Sequence, residues 1–459
     1  MQRDPRLTSH STPQRPVTDN KLGPHQMRRV IVASFIGTTI EWYDFFLYGT
    51  AAALVFNRLF FPTLSPLAGT LGSYATFAVG FIARPLGGAV FGHYGDRVGR
   101  KRMLVWSLLI MGIATALIGL TPSYDQIGIW APALLVALRL VQGFGVGGEW
   151  GGAVLLAVEH SGGVRRGFHG SWPQMGVPAG LLLSTAVFGA LSSALPEREF
   201  LAWGWRVPFL ISVLLVGVGL FIRLRIIETP AFARLKEQRR ESSLPMLELF
   251  REHRREILIG MGMRFAQNAI FYIYTVFVLS YGEKSLGYPR SLMLRGVMLA
   301  SAIGLISTPL WSHLSDRIGR KPVYFSGAFI SLLVAFPFFW LLERGPAFVG
   351  IAIVLAMNVG HDMMYGPMAA YLSELFGTNV RYTGTSLVYQ LTSVFSGGIA
   401  PLIASILLAR YGSSAVAGYV MACCAITLVA TALAPETHRV SLDEVAPAQT
   451  GDVVAALPS

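Results

Sequence analysis

The sequence predicts an all-α integral membrane protein of 12 transmembrane helices in two six-helix bundles, and three observations carry that prediction. First, 53% of the 459 residues are hydrophobic and only 14% charged, with a mean hydropathy of +0.53, against about 25% charged in soluble proteins. A water-soluble fold of that composition would expose much of its apolar surface, and a disordered chain, a disulfide scaffold and a fibrous protein are excluded. Second, twelve stretches are apolar enough to span, since crossing hydrocarbon takes about 20 residues of helix with every backbone group paired. Third, His93-Tyr94-Gly95-Asp96-Arg97-Val98-Gly99-Arg100-Lys101 recurs as His313-Leu314-Ser315-Asp316-Arg317-Ile318-Gly319-Arg320-Lys321, with six of nine positions identical at an offset of 220. Each copy falls between the second and third helix of a six-helix half, the parallel two-bundle plan of many secondary transporters.

Residues 1–27 are polar, carry Pro5, Pro13, Pro16 and Pro24 and have no apolar h-region, so they read as a disordered tail rather than a signal peptide. The spans follow at 28–56, 68–92, 103–121, 131–157, 167–192 and 206–223, the first bundle being 28–223. A basic loop at 224–256 leads to the second bundle, 257–435, with spans at 257–281, 292–312, 323–342, 347–371, 382–408 and 414–434, and 436–459 is a tail. With both termini in the cytoplasm of a bacterial-type inner membrane, the 37 Lys and Arg divide into 26 in cytoplasmic segments, 8 in outer loops or helix ends and 3 inside helices. Nine of them run from Arg223 to Arg255, so the net charge of +12 is topology charge at a membrane surface, not a nucleic-acid footprint. Cys423 and Cys424 are adjacent and cannot readily close an ordinary disulfide. The run Gly143-Phe144-Gly145-Val146-Gly147-Gly148 follows no strand, so it reads as helix packing rather than dinucleotide binding.

Charge inside a span is expensive, so each instance is a functional hypothesis. The set is Glu41, Asp44, Arg84, Arg139, Glu149, Arg264 and Asp362. Depth counted at about 1.5 Å per residue sets Asp44 near Arg139, Arg84 near Glu149 and Arg264 near Asp362. Four carboxylates against three arginines leave one negative charge in excess, and an uncompensated buried carboxylate can neutralise itself by taking up a proton. Protonation of Asp44 or Glu41 would release Arg139 or Arg84 for a substrate anion, which a guanidinium recognises in bidentate fashion. Static ion pairs pinning helices together are the competing reading. In the two loop motifs, Asp96, Arg97 and Arg100 and their repeats Asp316, Arg317 and Arg320 read as a gate at the cytoplasmic helix ends, extended by Glu159 with Arg166 and by Glu374 with Arg381. His361 reads as a packed polar residue, having no second His or Cys at ligand spacing. No nucleophile elbow, Walker loop or metalloprotease motif is present, so an enzyme is not expected.

The chain resembles the major facilitator superfamily over essentially all of 28–439. Gly92-His93-Tyr94-Gly95-Asp96-Arg97-Val98-Gly99-Arg100-Lys101 is similar to its loop 2-3 signature, while Gly204-Trp205-Arg206, Glu228-Thr229-Pro230 and Pro435-Glu436-Thr437 resemble marks of its sugar-porter-like branch. Ile40-Glu41-Trp42-Tyr43-Asp44-Phe45-Phe46, Arg84-Pro85-Leu86-Gly87-Gly88 and the run from Gln142-Gly143 to Gly147-Gly148-Glu149 resemble the metabolite:proton symporter family, whose members carry shikimate, 2-oxoglutarate, citrate or proline and betaine. The resemblance implies the major facilitator fold, proton coupling through Asp44 with Arg139, and substrate contact from Gln174, Gln267, Asn268 and Tyr272. Arg84 stands where sugar porters are apolar or small, which argues for an anion over a neutral sugar.

The expected function is therefore proton symport of a small organic acid by alternating access, with Arg84, Arg139, Glu149, Arg264 and Asp362 also lining the substrate site. A zwitterionic osmoprotectant such as proline or betaine is the alternative cargo, and an export antiporter the alternative mode. Partners expected are the organic anion or zwitterion, protons and the lipid bilayer, with no nucleic acid, no cofactor and a monomeric carrier.

Overall fold

A computed structural model describes residues 24–98, 100–147, 154, 157, 158, 165–225, 251–376 and 380–439. Among these residues twelve long helices form the body. The first half contributes α1 (Pro24–Leu54), α2 (Pro66–Val98), α3 (Arg100–Leu120), α4 (Trp130–Val146), α5 (Arg166–Ala194) and α6 (Val207–Arg225). The second contributes α7 (Arg254–Tyr272, continuing to Lys284), α8 (Arg290–Ile318), α9 (Arg320–Arg344), α10 (Val349–Leu375), α11 (Arg381–Tyr411) and α12 (Ser413–Leu433). Helix α1 starts at Pro24, so the last residues of the expected N-terminal tail are helical.

Among the described residues nine helices are long and apolar enough to cross a bilayer. The other three long helices, α1, α4 and α7, carry the buried charged residues Asp44, Arg139 and Arg264. Large apolar side chains such as Leu214, Leu258 and Ile306 are exposed on the outside, where hydrocarbon rather than water is the matching solvent. The polar burden is thus carried inside and the apolar surface outside.

The internal repeat is visible in the packing. Within the first half α1 lies on α5 and α6, α2 on α4, and α3 on α4 and α6; adding six to each label gives the contacts of the second half, α7 on α11 and α12, α8 on α10, and α9 on α10 and α12. The halves meet through α5 on α8 and α2 on α11, a pair of contacts related by the same rule. Between α8 and α9 the chain turns on Gly319, whose φ of +109° is open to glycine and strained for other residues, so one helix ends and the next begins without a loop.

Glycines set the crossing of α2 and α4, as the sequence reading of that run expects. A Cβ on Gly143 would lie 2.0 Å from the Gly80 carbonyl oxygen, and one on Gly147 2.1 Å from that of Arg84. Side chains there would hold the backbones apart. A Gly143→Leu variant is therefore expected to lose about 3 kcal/mol or more through overpacking, read as a fall in thermal midpoint in detergent; an unchanged midpoint would remove the glycine argument.

Candidate functional site

Three arginines enter the middle of the bundle, Arg84 from α2, Arg139 from α4 and Arg264 from α7, and each is at most 2% exposed. The guanidinium carbon of Arg84 lies 4.1 Å from the ring centroid of Phe45, 4.5 Å from that of Phe81 and 5.6 Å from that of Trp42. Arg139 shares Phe45, at 4.5 Å, and also rests on Tyr48 at 4.1 Å and Phe77 at 5.1 Å. Such cation–π contacts contribute about 0.5–2 kcal/mol each. They do not replace hydrogen-bond acceptors: Nε and Nη2 of both Arg84 and Arg139 are buried with none. Tyr272 of α7 stands within electrostatic reach of all three arginines and packs on Phe45, Phe77 and Phe81.

Asp44 is fully buried on α1, one turn beyond buried Glu41. Neither of its carboxylate oxygens has a hydrogen-bond donor, and its polar neighbours are the hydroxyls of Ser212 and Thr115. Gln142 joins it to Arg139 indirectly. The Gln142 carbonyl accepts from Arg139, and its amide nitrogen donates to Thr115 Oγ1 at 2.8 Å and to the Asp44 backbone oxygen at 3.4 Å.

The second half presents a polar wall. Arg264 donates to the Tyr389 carbonyl at 2.7 Å, Ser393 Oγ at 2.8 Å and Asn268 Oδ1 at 3.4 Å, and its guanidinium lies 3.5 Å from the Tyr389 ring centroid. Asn268 in turn donates to Ser396 Oγ at 3.0 Å. Asp362 accepts from Ser307, from Asn358 Nδ2 at 2.9 Å and from His361 Nδ1 at 2.9 Å, while His361 Nε2 meets Gln267 Nε2 at 2.8 Å. Gln174 of α5 reaches across to the Tyr365 carbonyl at 3.1 Å. Wide π turns interrupt three helices of this wall, at Ile273–Phe277 in α7, Leu355–His361 in α10 and Ser393–Gly398 in α11. Such turns recur at functional sites because they rotate side chains out of the regular helical register.

Contacts between the halves close both ends of this centre. At the end where α8 meets α9, Asp316 accepts from the backbone N–H groups of Gly167 and Phe168, each at 2.8 Å, and so caps α5 of the other half. Glu374 accepts from Arg320 Nε and Nη2, both at 3.3 Å, from Thr437 Oγ1 at 2.6 Å and from Arg166 of the other half at 3.5 Å. Glu436 closes the same cluster; burial works against its charge, but the N–H groups of Arg320, His438, Lys321 and Thr437 outweigh it and hold its carboxyl below the usual range. At the opposite end Arg58 and Glu197 of the first half alternate with Glu283 and Arg290 of the second, the Arg290–Glu283 contact being 3.0 Å. Tyr74 and Ser280 hydrogen-bond beneath it at 2.7 Å.

A family model described as the Major Facilitator Superfamily matches residues 45–401. The chain belongs to the major facilitator superfamily. It is 43% identical over 427 residues to the Shikimate transporter of Escherichia coli K12, covering 92% of this chain and 97% of that one, and 44% identical to the Inner membrane metabolite transport protein YhjE of the same organism, covering 90% and 95%. A glycine betaine/proline/ectoine/pipecolic acid transporter of Dickeya dadantii is 37% identical, over 83% of this chain and 77% of that one. The proton:xylose symporter XylE superposes with a TM-score of 0.72 over 92% of this chain and 98% of that one; at 19% identity it supports the fold. The protein is thus a multi-pass membrane transporter of the major facilitator superfamily and not an enzyme.

For this major facilitator transporter, two pairings expected from depth are corrected. Asp44 and Arg139 form no direct ion pair: Arg139 turns to the Gln142 carbonyl, while the Asp44 carboxyl faces the hydroxyls of Ser212 and Thr115. Arg264 and Asp362 are likewise not partners: the first turns to α11 and the second to α8 and His361. The Arg84–Glu149 pair is untouched by this, since Glu149 lies outside the described residues, as does Glu159; the side chains of Asp96, Arg97 and Arg100 do too. Of the remaining gate residues, Arg317 is exposed, and Arg381 donates to the Ser373 and Phe376 carbonyls at 3.0 and 3.2 Å. Residues 436–438 belong to the closed end rather than to a loose tail. Sequence reasoning missed Ser307, Asn358, Tyr389 and Ser393, which are uncharged and carry no local signal. It also counted Arg58 and Arg290 as outer-loop charge only and passed over Glu197 and Glu283, although the alternating signs of the four at matching helix ends were there to be read.

Proposed function

We propose that this protein is a proton-coupled symporter that imports a small organic anion by alternating access of its two halves. One observation carries the reading: Arg84 and Arg139 flank Phe45 with their Nε and Nη2 groups buried and lacking acceptors. A buried guanidinium N–H group without an acceptor is costly, and a carboxylate brings both charge and paired acceptors in the planar geometry the group requires. The names of the similar transporters, for shikimate and for metabolites, agree with a carboxylate cargo. Asp44, uncharged when it carries a proton, is the coupling group, and Gln142 holds its backbone oxygen and the Arg139 guanidinium in one network. The closed end built on Asp316 and Glu374 faces the cytoplasm together with both termini, in an inner membrane, and the carrier works as a monomer.

Uptake into proteoliposomes from a panel of shikimate, 2-oxoglutarate, citrate, proline and glycine betaine tests the reading. Accumulation of an acid driven by an inward proton gradient supports it. Accumulation that ignores the gradient removes the coupling, exclusive uptake of proline or betaine moves the cargo to the zwitterions of the Dickeya relative, and movement only outward makes it an exporter. Arg84→Gln removes a charge-assisted contact of about 1.5–3 kcal/mol and is expected to raise KM for the acid at least about tenfold. An unchanged KM would take Arg84 out of the site.

A further inference from the structure

We propose that Asp362, His361 and Gln267 form a relay that presents the Gln267 carbonyl oxygen to the cargo as a hydrogen-bond acceptor, selecting organic acids that carry a hydroxyl group. The inference rests on the organic-anion reading and specifies the cargo further. A carboxylate oxygen cannot donate, so the 2.9 Å contact from His361 Nδ1 to Asp362 Oδ1 needs the imidazole proton on Nδ1. The other ring nitrogen, Nε2, faces an amide nitrogen, which has no lone pair to offer and can only donate, so Nε2 is the acceptor. That amide belongs to Gln267, at 2.8 Å.

The amide is thereby oriented. Its oxygen is turned away from His361, and it is buried with no donor from the protein although Gln267 is only 3% exposed. A buried amide oxygen in that condition is an open demand for an O–H or N–H group. Phe271 and Tyr365 hold the imidazole between them, with centroids at 5.0 and 5.4 Å. Phe271 also touches Tyr272 of the aromatic wall around Arg84. Gln267 follows Arg264 by three residues on α7, a spacing that sets both on one face of that helix, so the cargo would place its carboxylate at the arginines and its hydroxyl at Gln267.

The far oxygen of Asp362 makes the relay testable by inversion. Asp362 Oδ2 accepts from Ser307 and from Asn358 Nδ2, both donors. In Asp362→Asn the side-chain carbonyl stays with those donors, so the new amide nitrogen faces His361 Nδ1 and donates to it. The imidazole proton moves to Nε2, and Gln267 must turn to accept it, leaving its nitrogen toward the cargo. Acceptor becomes donor with almost no change of shape. Asp362 and His361 are positioning residues; Gln267 makes the contact.

The test is competitive uptake in proteoliposomes of shikimate, which carries hydroxyls, against 1-cyclohexenecarboxylate, the same ring acid without them. The wild type is expected to prefer shikimate by about tenfold or more in KM, the worth of one well-made hydrogen bond with its buried penalty. Asp362→Asn should raise KM for shikimate about tenfold while leaving the unhydroxylated acid within about twofold. Gln267→Met, of similar volume, should remove the preference in the same way and decides the matter if the first variant does not fold. Equal losses for both acids in either variant would make the network purely structural and overturn the relay. A wild type that takes both acids equally overturns the relay and leaves the organic-anion reading standing, whereas one that takes up no acid overturns both.

Discussion

An Asp44→Asn carrier is expected to lose accumulation driven by a proton gradient while still exchanging substrate across the membrane. Asn at 44 is a permanent copy of the protonated side chain, so the alternation between charged and neutral states stops. One unit of ΔpH is worth about 1.4 kcal/mol per proton, or about tenfold accumulation for a one-proton symporter, and the variant should fall to a ratio near one. Exchange survives because it needs only the loaded carrier to reorient. The carboxylate is suited to this role because it is fully buried with only the hydroxyls of Ser212 and Thr115 as polar neighbours, while Gln142, bonded to the Asp44 backbone oxygen and to Arg139, ties the two positions together. Full retained accumulation, measured as tracer uptake against an imposed pH gradient, would remove Asp44 from coupling.

Glu374→Ala is expected to open the end of the bundle where α8 meets α9. Glu374 neutralises Arg320 within its own half and Arg166 across the interface, with Thr437 completing its shell. Removing it takes a buried carboxylate from two buried guanidinium groups, Arg320 keeping Asp316 at 2.7 Å, and the loss of such a partner costs about 3–5 kcal/mol. The cheapest relief is separation of the two halves there, which brings water to Arg166 and Arg320. A penalty of about 4 kcal/mol shifts a two-state equilibrium roughly a thousandfold, so the open form should dominate. Spin labels at the exposed positions Arg165 and Arg317, on opposite halves of this interface, should then report a longer distance, and an unchanged distribution would show that Glu374 does not hold the end shut. The two native cysteines, Cys423 and Cys424, are buried on α12 and leave the labelling background low.

The sequence reading located the charged residues well and paired them poorly. Depth along a span is legible because each residue advances about 1.5 Å, so Asp44 with Arg139, and Arg264 with Asp362, could be set at comparable heights. Which way a side chain turns at that height depends on neighbours from other helices. Arg264 finds a backbone carbonyl and two hydrogen-bonding side chains at the π turn of α11 and on its own helix, and Asp362 finds Ser307 of α8. His361 was read as packing because its sequence neighbours show no ligand spacing; its significance comes from Gln267, 94 positions away. The contacts closing the outer end likewise join residues from Arg58 to Arg290.

What the sequence determined by itself is the fold, its internal repeat and the short list of residues that pay an exceptional cost to be where they are. Hydrocarbon admits so few backbone solutions, and penalises buried charge so heavily, that composition and spacing alone identify both. What the tertiary structure decided is the partnership of those residues: Gln142 bonded to Arg139 and to the Asp44 backbone oxygen, Asp362 turned to His361 rather than Arg264, and Asp316 capping a helix of the opposite half. Hydrogen bonds act over about 3 Å and depend on direction, so they are fixed by how helices rotate and cross, which no one-dimensional pattern encodes.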